Sequence, residues 1–317
     1  MKKKLTFTFI TIIFSLIIII IGGELLARIL IDPFYVLDEI NLTYKYDEEL
    51  GWFPIENSEK KYNGTRIINV QHNNNGFRDI DHGTKTKKRI AFLGDSFVWG
   101  YDVEYGERFT EYLQTSLSDW EIINMGVSGY SNDQELILIK QWFDHFKPDI
   151  VFLVICDNDW VGNRTNKLYD YYKPYFKYTE NKLVKHGIPV GKSLHFFTSK
   201  YSNLLKSRLI QGIIQITRPK RVQVEDPTSE IIYEMNSFVK SKGSEFFIAF
   251  TDDDGIPEEC SYCDSFDIPY LSLANDYRYD ANGFHWTPEG NEFVSNKIYE
   301  FLEKENVLNN SLTQDMN

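Results

Sequence analysis

The sequence has few cysteines and few basic residues for its length. Three cysteines among 317 residues are too few for a disulfide scaffold, but 42% hydrophobic and 15% aromatic residues are ample for a packed core. Lysine and arginine number 34 against 46 aspartates and glutamates, so the formal charge is −12. This charge repels phosphate groups and argues against nucleic acids or anionic lipid headgroups as main partners. Internal repeats and low-complexity segments are also absent.

The N-terminal segment lacks the motifs that mark a leader for removal. Three lysines at positions 2–4 precede an uncharged run, residues 5–21, that is dominated by Ile, Leu and Phe. Extended to residue 23, the run measures roughly 28 Å as a helix, close to the ~30 Å hydrocarbon core of a bilayer. No Ala-x-Ala-like site follows and no lipobox-like cysteine lies near it, so residues 1–30 predict a membrane anchor rather than a cleavable signal peptide. The lysines place the N-terminus in the cytoplasm and the rest of the chain on the outer side.

From residue 88 onwards, short apolar runs alternate with helical stretches. Strands are predicted at residues 89–93, 121–125, 149–155, 245–251 and 268–273. Helices are predicted at residues 109–117, 131–146 and 226–241, and a last helix begins at Thr287-Pro288-Glu289. The alternation predicts an α/β fold in which helices cover both faces of a central parallel sheet of about five strands.

Other segments depart from this alternation. Residues 31–87 lack a sustained period and predict an extended lead-in arm with a hairpin packed on the core. Residues 160–224 are too long for an ordinary connection and form an insertion, either a functional cap or a mobile segment. Within it, the tyrosine-rich residues 169–178 fit either core packing or a wall for sugar or acyl groups, and residues 204–216 form an amphipathic run. Residues 307–317 form a C-terminal tail.

A candidate nucleophile follows the first strand of the predicted sheet. The apolar run ending at Leu93 is followed by Gly94-Asp95-Ser96, which places Ser96 at the edge where open α/β sheets bind ligands. Gly-Asp-Ser alone is also ordinary turn chemistry. A nucleophilic serine needs a base and oxyanion donors, and candidates for both lie further along the chain. They are found in the segments NMGVSGYS (residues 124–131), CDND (residues 156–159) and DANGFH (residues 280–285).

Together these segments resemble the SGNH/GDSL hydrolases. In the arm, Gly51-Trp52-Phe53 and Asn75-Gly76-Phe77-Arg78 resemble the lead-in segment of membrane-anchored members of that family. That family is defined by four blocks carrying Ser, Gly, Asn and His, which correspond here to Ser96, Gly129, Asn158 and His285. The resemblance covers roughly residues 88–302. It implies a flavodoxin-like three-layer sandwich, which we assign to residues 88–306.

The resemblance also implies a role for each matched residue. Ser96 would be the nucleophile and His285 the general base. The oxyanion hole would consist of the backbone N–H groups of Ser96 and Gly129 and the side-chain amide of Asn158.

The residue that would orient His285 departs from the family pattern. The family usually places Asp three residues before the histidine, and this chain has Asn282 there. Asp280 is the nearest carboxylate, and a loop longer by two residues would let it reach the imidazole. Asp280 is therefore predicted as the third catalytic residue. The alternatives are an uncharged contact from Asn282 or a distant acid.

No metal or other cofactor is expected. Asp157 and Asp159 flank Asn158, but no histidine or further carboxylate follows at matching spacing. Cys260 and Cys263 lack the second ligand pair of a zinc site, and outside the cytoplasm a short disulfide is the simpler interpretation.

The resemblance implies a serine esterase that forms an acyl-enzyme on Ser96. The expected substrate is an O-acyl ester, in particular an O-acetyl ester, on a carbohydrate or surface glycan, because the family includes many carbohydrate esterases and the domain is expected to face outwards. One alternative is an O-acyltransferase, in which a sugar hydroxyl replaces water. Another is a noncatalytic glycan-binding or assembly scaffold, in which Ser96 and His285 would lie out of reach of each other. The oligomeric state is not predicted.

Overall fold

The computed structural model describes residues 2–31, 43–193, 196, 202–252, 261–281 and 283–308. The chain divides into two compact units. The smaller comprises Met1–Leu42 and Ser193–Lys220, and the larger comprises Thr43–Lys192 and Arg221–Asn317. The insertion predicted at residues 160–224 is therefore divided, and its later part belongs with the N-terminal helix.

A single long helix, α1 (Lys2–Leu30), covers the predicted anchor. Its 25 residues Thr6–Leu30 are long and apolar enough to cross a membrane, and their most apolar stretch is not buried by the rest of the chain. By length and composition, α1 is a candidate membrane span or signal sequence.

The lead-in arm contains two hairpins. They pair β1 (Tyr44–Asp47) with β2 (Gly51–Pro54) and β3 (Glu59–Asn63) with β4 (Ile67–Gln71). Arg78, which follows them, is buried, and its guanidinium donates to the backbone carbonyls of Trp99, Gly100 and Val103. The arm thereby fixes the chain that leaves the Gly-Asp-Ser motif.

After the arm, strands and helices alternate as the sequence predicts. In chain order the elements are β5 (Lys88–Leu93), α2 (Ser96–Trp99), α3 (Phe109–Ser116), β6 (Trp120–Asn124), α4 (Asn132–Phe146), β7 (Ile150–Ile155), α5 (Asp157–Asn163), β8 (Lys167–Leu168), β9 (Tyr171–Tyr172), β10 (Tyr175–Thr179), β11 (Lys182–His186), α6 (Ser202–Leu205), α7 (Arg208–Thr217), α8 (Thr228–Ser241), β12 (Glu245–Phe250), α9 (Ser261–Ser265), β13 (Tyr270–Ser272) and α10 (Pro288–Lys304). The strands β8 to β11 form two hairpins in the earlier part of the insertion. The helices α6 and α7 belong to the smaller unit.

The central sheet has five parallel strands in the order β13-β12-β7-β5-β6, which confirms the predicted α/β class. The chain places β6 on one side of β5 and β7 on the other. The ends of β5 and β7 therefore flank the point where the strand order reverses, which is where open α/β sheets bind ligands.

Apolar side chains cover both faces of the sheet. Ile90 and Phe92 belong to a buried cluster with residues of α3 and α10, whereas Ala91 and Leu93, also buried, point to the opposite face. On that face α4 packs against α8. Strands buried on both sides are typical of parallel sheets, and this explains why they read as continuous apolar runs in the sequence.

The position of α10 brings the loop that carries His285 back to the end of β5. This helix packs beside α3, and the Asn291 side chain accepts the backbone N–H of Phe109 at 3.0 Å. Its N-terminus is capped as predicted, since the Thr287 hydroxyl accepts the N–H of Gly290 at 3.2 Å. The loop before α10 therefore ends close to the start of α2.

Two predictions concern residues outside the described part of the chain. Cys263 is disulfide-bonded and Cys156 is free, but Cys260, the predicted partner of Cys263, is not among the described residues. The same holds for Asn282, the alternative orienting residue.

Candidate active site

Ser96 is the first residue of α2, one short turn beyond the end of β5. Asp95 caps this helix, because its carboxylate accepts the N–H of Phe97 at 3.0 Å. The turn requires glycine at position 94, since a Cβ there would lie 2.4 Å from the Val98 side chain. The local sequence thus holds Ser96, which is 7% exposed, at the C-terminal edge of the sheet.

His285 lies within hydrogen-bond distance of this serine. Its Nε2 atom is 2.7 Å from Ser96 Oγ, although the two residues are 189 positions apart in sequence. The imidazole stacks on Tyr101, with ring centroids 4.4 Å apart, and contacts Phe97 at 4.9 Å. Tyr101 and Phe97 were not predicted as site residues, although both lie within five positions of Ser96. These rings restrict the imidazole to the orientation that faces the serine.

The loop after β6 packs closely against the helix that carries Ser96. Asn124 donates from its amide to the backbone carbonyl of Val98 at 2.7 Å and accepts the N–H of Gly126 at 3.0 Å. A Cβ on Gly126 would lie 2.4 Å from the backbone nitrogen of Trp99. Glycine is therefore required here for the two backbones to meet.

Gly129, the predicted second oxyanion donor, lies further along that loop. Its φ of +81° is a left-handed conformation that favours glycine, and a Cβ there would lie 3.5 Å from the Tyr169 ring and 3.6 Å from the Trp52 ring. Within the part of the chain that the structure describes, the N–H groups of Ser96 and Gly129 donate to no protein acceptor. Both are therefore available to a bound group.

Asn158 lies in the first turn of α5 and is joined to Ser96 through Asp95. The Asn158 amide donates to Asp95 Oδ2 at 2.9 Å and to the Tyr169 hydroxyl at 3.3 Å. Asp95 Oδ2 also lies 3.2 Å from Ser96 Oγ and accepts the Cys156 thiol at 3.1 Å. The sequence offers turn chemistry as one interpretation of Gly94-Asp95-Ser96 and gives Cys156 no part in the site. The structure places the Asp95 carboxylate between the serine and the asparagine.

Asp280, the predicted orienting acid, is exposed, and among the described residues no hydrogen bond joins it to His285. The loop closes on itself, because the Tyr279 N–H donates to the His285 carbonyl at 2.9 Å and Gly283 and Phe284 both have positive φ. This turn directs the loop tip towards solvent. The structure therefore brings Ser96, His285 and Asn158 together and leaves Asp280 at the surface.

Buried carboxylates lie behind Asp95. Burial, with the charges of Asp95 and Asp133 in addition, raises the pKa of Glu135 to about 8. Burial, followed by the charge of Glu135, raises the pKa of Asp159 well above its usual range. Lys173 is the buried cation of this cluster and pairs with Asp133. The sequence predicts only a helix over residues 131–146, because no local pattern distinguishes a buried polar helix start from an exposed one.

Replacing Glu135 by glutamine is expected to change how stability depends on pH. A carboxyl whose pKa rises from 4.5 to about 8 on folding contributes stability that is complete below the lower value and is lost as the pH rises through the higher one. Glutamine keeps the planar shape of the glutamate carboxyl group but does not titrate in this range. The melting temperature of Glu135→Gln should therefore rise relative to wild type, by several degrees, between about pH 5 and about pH 9. The exposed Glu300→Gln is the matched control, and a Glu135→Gln difference that is constant over this range would contradict the assignment.

Metal ligands do not cluster in the described residues: no group of three or more His, Cys, Asp or Glu side chains there could hold a metal ion. Asp159, one of the two aspartates that flank Asn158, instead accepts the backbone N–H of Cys156 at 2.9 Å. It is buried and helps to cap α5.

An α/β sheet with a serine and a histidine in contact at its C-terminal edge defines the class of serine hydrolases with a parallel sheet. The family model described as GDSL-like Lipase/Acylhydrolase matches residues 90–298, about two thirds of the chain. The chain belongs to this family and is an ester-hydrolysing enzyme. The matched region contains Ser96, Gly129, Asn158 and His285.

Several solved structures are similar to the chain at low sequence identity. A psychrotrophic esterase from Pseudoalteromonas sp. is 11% identical, with a TM-score of 0.42 over 69% of this chain and 98% of that one. An aryl esterase from M. smegmatis is 13% identical, with a TM-score of 0.41 over 68% and 99%. A carbohydrate acetylesterase from Sinorhizobium meliloti is 12% identical, with a TM-score of 0.40 over 69% and 99%. Among curated proteins, none matches the chain by sequence.

Proposed function

We propose that the protein is a serine esterase that removes O-acyl groups, in particular O-acetyl groups, from a carbohydrate or surface glycan. The observation that carries this proposal is the 2.7 Å contact between Ser96 Oγ and His285 Nε2. A noncatalytic scaffold has no need to hold these side chains within reach of each other. Membership of an acylhydrolase family supports the same chemistry.

The proposed reaction has two steps. In the first, His285 removes the proton of Ser96 as Oγ attacks the ester carbonyl, and the tetrahedral intermediate then expels the alcohol, which takes that proton from His285. In the second, His285 activates a water molecule, which releases the acid and restores the serine. The acyl group is carried by Ser96 between the two steps.

The negative oxygen of each tetrahedral intermediate would be held by three donors. Two are the N–H groups of Ser96 and Gly129, which have no protein acceptor in the described chain. The third is the amide of Asn158, one hydrogen of which is fixed by Asp95. Its other hydrogen points to the Tyr169 hydroxyl at the longer distance of 3.3 Å, and we propose that the oxyanion replaces this contact.

An exposed aromatic side chain beside these donors supports a carbohydrate substrate. Tyr169 is 60% exposed and lies against Gly129, whereas Trp52 of the lead-in arm, on the same glycine, is buried. An exposed ring offers a flat apolar face on which a neutral sugar can stack. The net charge of −12 is compatible with a neutral ligand.

The substrate class is tested with the full-length protein in detergent, supplied with an acetylated oligosaccharide and with an aryl acetate. We expect acetate release from both, and we expect Tyr169→Ala to lower kcat/KM for the oligosaccharide at least tenfold more than for the aryl ester. Tyr178→Ala, at a half-exposed tyrosine of the β10 hairpin, is the matched control. Acetyl transfer to an added sugar in excess of hydrolysis would identify an acyltransferase instead, and equal losses on both substrates would contradict stacking on Tyr169.

We further propose that α1 anchors the catalytic unit on the outer side of a membrane. The support is the apolar Thr6–Leu30 stretch and the lysines that precede it. Protease added to intact spheroplasts should therefore digest the catalytic unit, while the undigested protein fractionates with membranes. Recovery in the soluble fraction would contradict the anchor, and full protection from protease would contradict the orientation.

The orienting acid is tested by Asp280→Asn. If Asp280 closes on the imidazole during turnover, the variant should keep the fold, but its imidazole should favour the wrong tautomer. The same substitution of the orienting acid in a serine protease lowers turnover by ~10⁴. The exposed Asp276→Asn is the matched control on the same loop. Turnover within about twofold of wild type would remove Asp280 from the mechanism, and Asn282→Ala would then show whether Asn282 has this role.

A further inference from the structure

The smaller unit joins α1 to α7 through a charged contact. The Glu24 carboxylate of α1 accepts the Ser207 hydroxyl at 2.7 Å and the N–H groups of Arg208 and Leu209 at 3.1 Å each. These groups belong to the first turn of α7, where unpaired N–H groups attract a negative charge. Glu24 therefore fixes the start of α7 at one level of α1, next to the uncharged run that ends at residue 23.

Small residues on one side of α1 allow this close approach. Gly23, Ala27 and Ile31 are spaced by four and are less exposed than their neighbours, so they form the side of α1 that faces α7. A Cβ on Gly23 would lie 3.5 Å from the Leu209 side chain, and Gly212 of α7 lies against Ile31. The contact is thus a packed helix pair and does not depend on Glu24 alone.

Several other apolar side chains of this helix pair are exposed in the part of the chain that the structure describes. On α7, Ile213 is 54% exposed and Ile216 is 85% exposed. On the last two turns of α1, Leu25, Leu26, Ile29 and Leu30 are also exposed. The polar residue Gln211 lies on the other side of α7, where its amide donates to the Leu205 carbonyl at 2.6 Å.

The charge of this segment is opposite to that of the whole chain. Residues 193–220 contain five basic residues and no Asp or Glu, in a protein with a net charge of −12. The five are Lys200, Lys206, Arg208, Arg218 and Lys220. A helix with an apolar face and surrounding basic residues is typical of segments that lie in the headgroup region of an anionic membrane.

We infer that α7 is an interfacial helix that lies on the same membrane that α1 spans, with Ile213 and Ile216 among the acyl chains. The described basic residues Lys206, Arg208, Arg218 and Lys220 would then lie on anionic headgroups. This inference rests on the proposed anchor, because α1 sets the level at which α7 begins. It gives residues 204–216, which the sequence marks only as an amphipathic run in an insertion that is either a functional cap or a mobile segment, the role of a second membrane contact.

The test uses full-length protein in nanodiscs that contain phosphatidylcholine with or without phosphatidylglycerol. A fluorophore is attached to a single introduced cysteine at Ile213→Cys or, as the matched control two residues away on the opposite side of α7, Gln215→Cys. Phe14→Cys in the middle of α1 reports the anchor. Cys156 is buried, and unlabelled wild type serves as the blank.

We expect a nitroxide carried near the lipid headgroup to quench the label at 213 at least threefold more than the label at 215, and aqueous iodide to show the reverse order. The contrast should be larger in anionic discs, and Lys206→Gln with Lys220→Gln should reduce it to the value in neutral discs.

Equal iodide quenching at 213 and 215, with a lipid-protected label at 14, would overturn the inference and leave the anchor in place. A water-exposed label at 14 would overturn both. A label at 213 that is protected from iodide and not quenched by lipid would indicate a protein contact, which also overturns the inference.

Discussion

Ser96→Ala is expected to abolish labelling by a fluorophosphonate probe and to lower turnover of an aryl ester by roughly 10⁵- to 10⁶-fold, the scale seen when a serine nucleophile is removed from other enzymes. The loss is large because alanine leaves no atom that can carry the acyl group. The oxyanion donors remain, so a small residual activity above the uncatalysed rate should persist.

This variant should change stability little. Among the described residues, Ser96 Oγ has hydrogen-bond contacts only with His285 Nε2 and Asp95 Oδ2, and Asp95 keeps its bonds to Phe97, Asn158 and Cys156. A melting temperature within a few degrees of wild type is therefore expected. Ser241→Ala, at an exposed position on α8, is the control and should label normally. Equal labelling of Ser96→Ala and wild type would remove Ser96 from the mechanism.

His285→Ala is expected to cost nearly as much as the loss of the serine. Without the imidazole, the described base that remains within hydrogen-bond distance of Ser96 Oγ is the Asp95 carboxylate at 3.2 Å. It already accepts the Asn158 amide and the Cys156 thiol, so we expect it to replace the imidazole poorly. Residues that act as a unit show strongly non-additive losses, so the double variant Ser96→Ala/His285→Ala should be no slower than either single variant within about threefold.

The control for the histidine is His186→Ala in β11, which should retain full turnover because His186 belongs to a hairpin of the insertion, where it stacks on Tyr175 of β10. Turnover of one aryl ester is measured for Ser96→Ala, His285→Ala and the double variant, and probe labelling is measured in parallel. Losses that multiply in the double variant would mean that Ser96 and His285 act independently, which the proposed mechanism does not allow.

The sequence by itself determined the fold class and the two central catalytic candidates. Strands buried on both faces, such as residues 150–155, are continuous apolar runs, and α10 carries its Thr and Pro start signals, so both were visible as local patterns. Ser96 and His285 were visible because each belongs to a short block of fixed residue types. The pairing of these two residues was predicted from the order of the blocks and is present in the structure.

The tertiary structure decided which side chains surround that pair. Asp95 joins Ser96 to Asn158 only because β5 and β7 are neighbours in the sheet, and Tyr169 reaches Gly129 only because the insertion folds back over the loop after β6. The burial that raises the pKa of Glu135 likewise comes from elements distant in the chain. No local sequence pattern predicts such contacts, because they depend on how distant elements pack and not on helix or strand propensity.

The division of the insertion between the two units is a further feature that the tertiary structure decided. Residues 204–216 read as an amphipathic helix in any context, and their apolar face would suit a cap, a core or a membrane equally well. The contact of Glu24 with the first turn of α7, across more than 180 residues of chain, joins that helix to α1 together with the packing of Gly23 and Ile31 against it. An amphipathic sequence shows that a helix has an apolar side. Which partner covers that side depends on the tertiary contacts that position the helix.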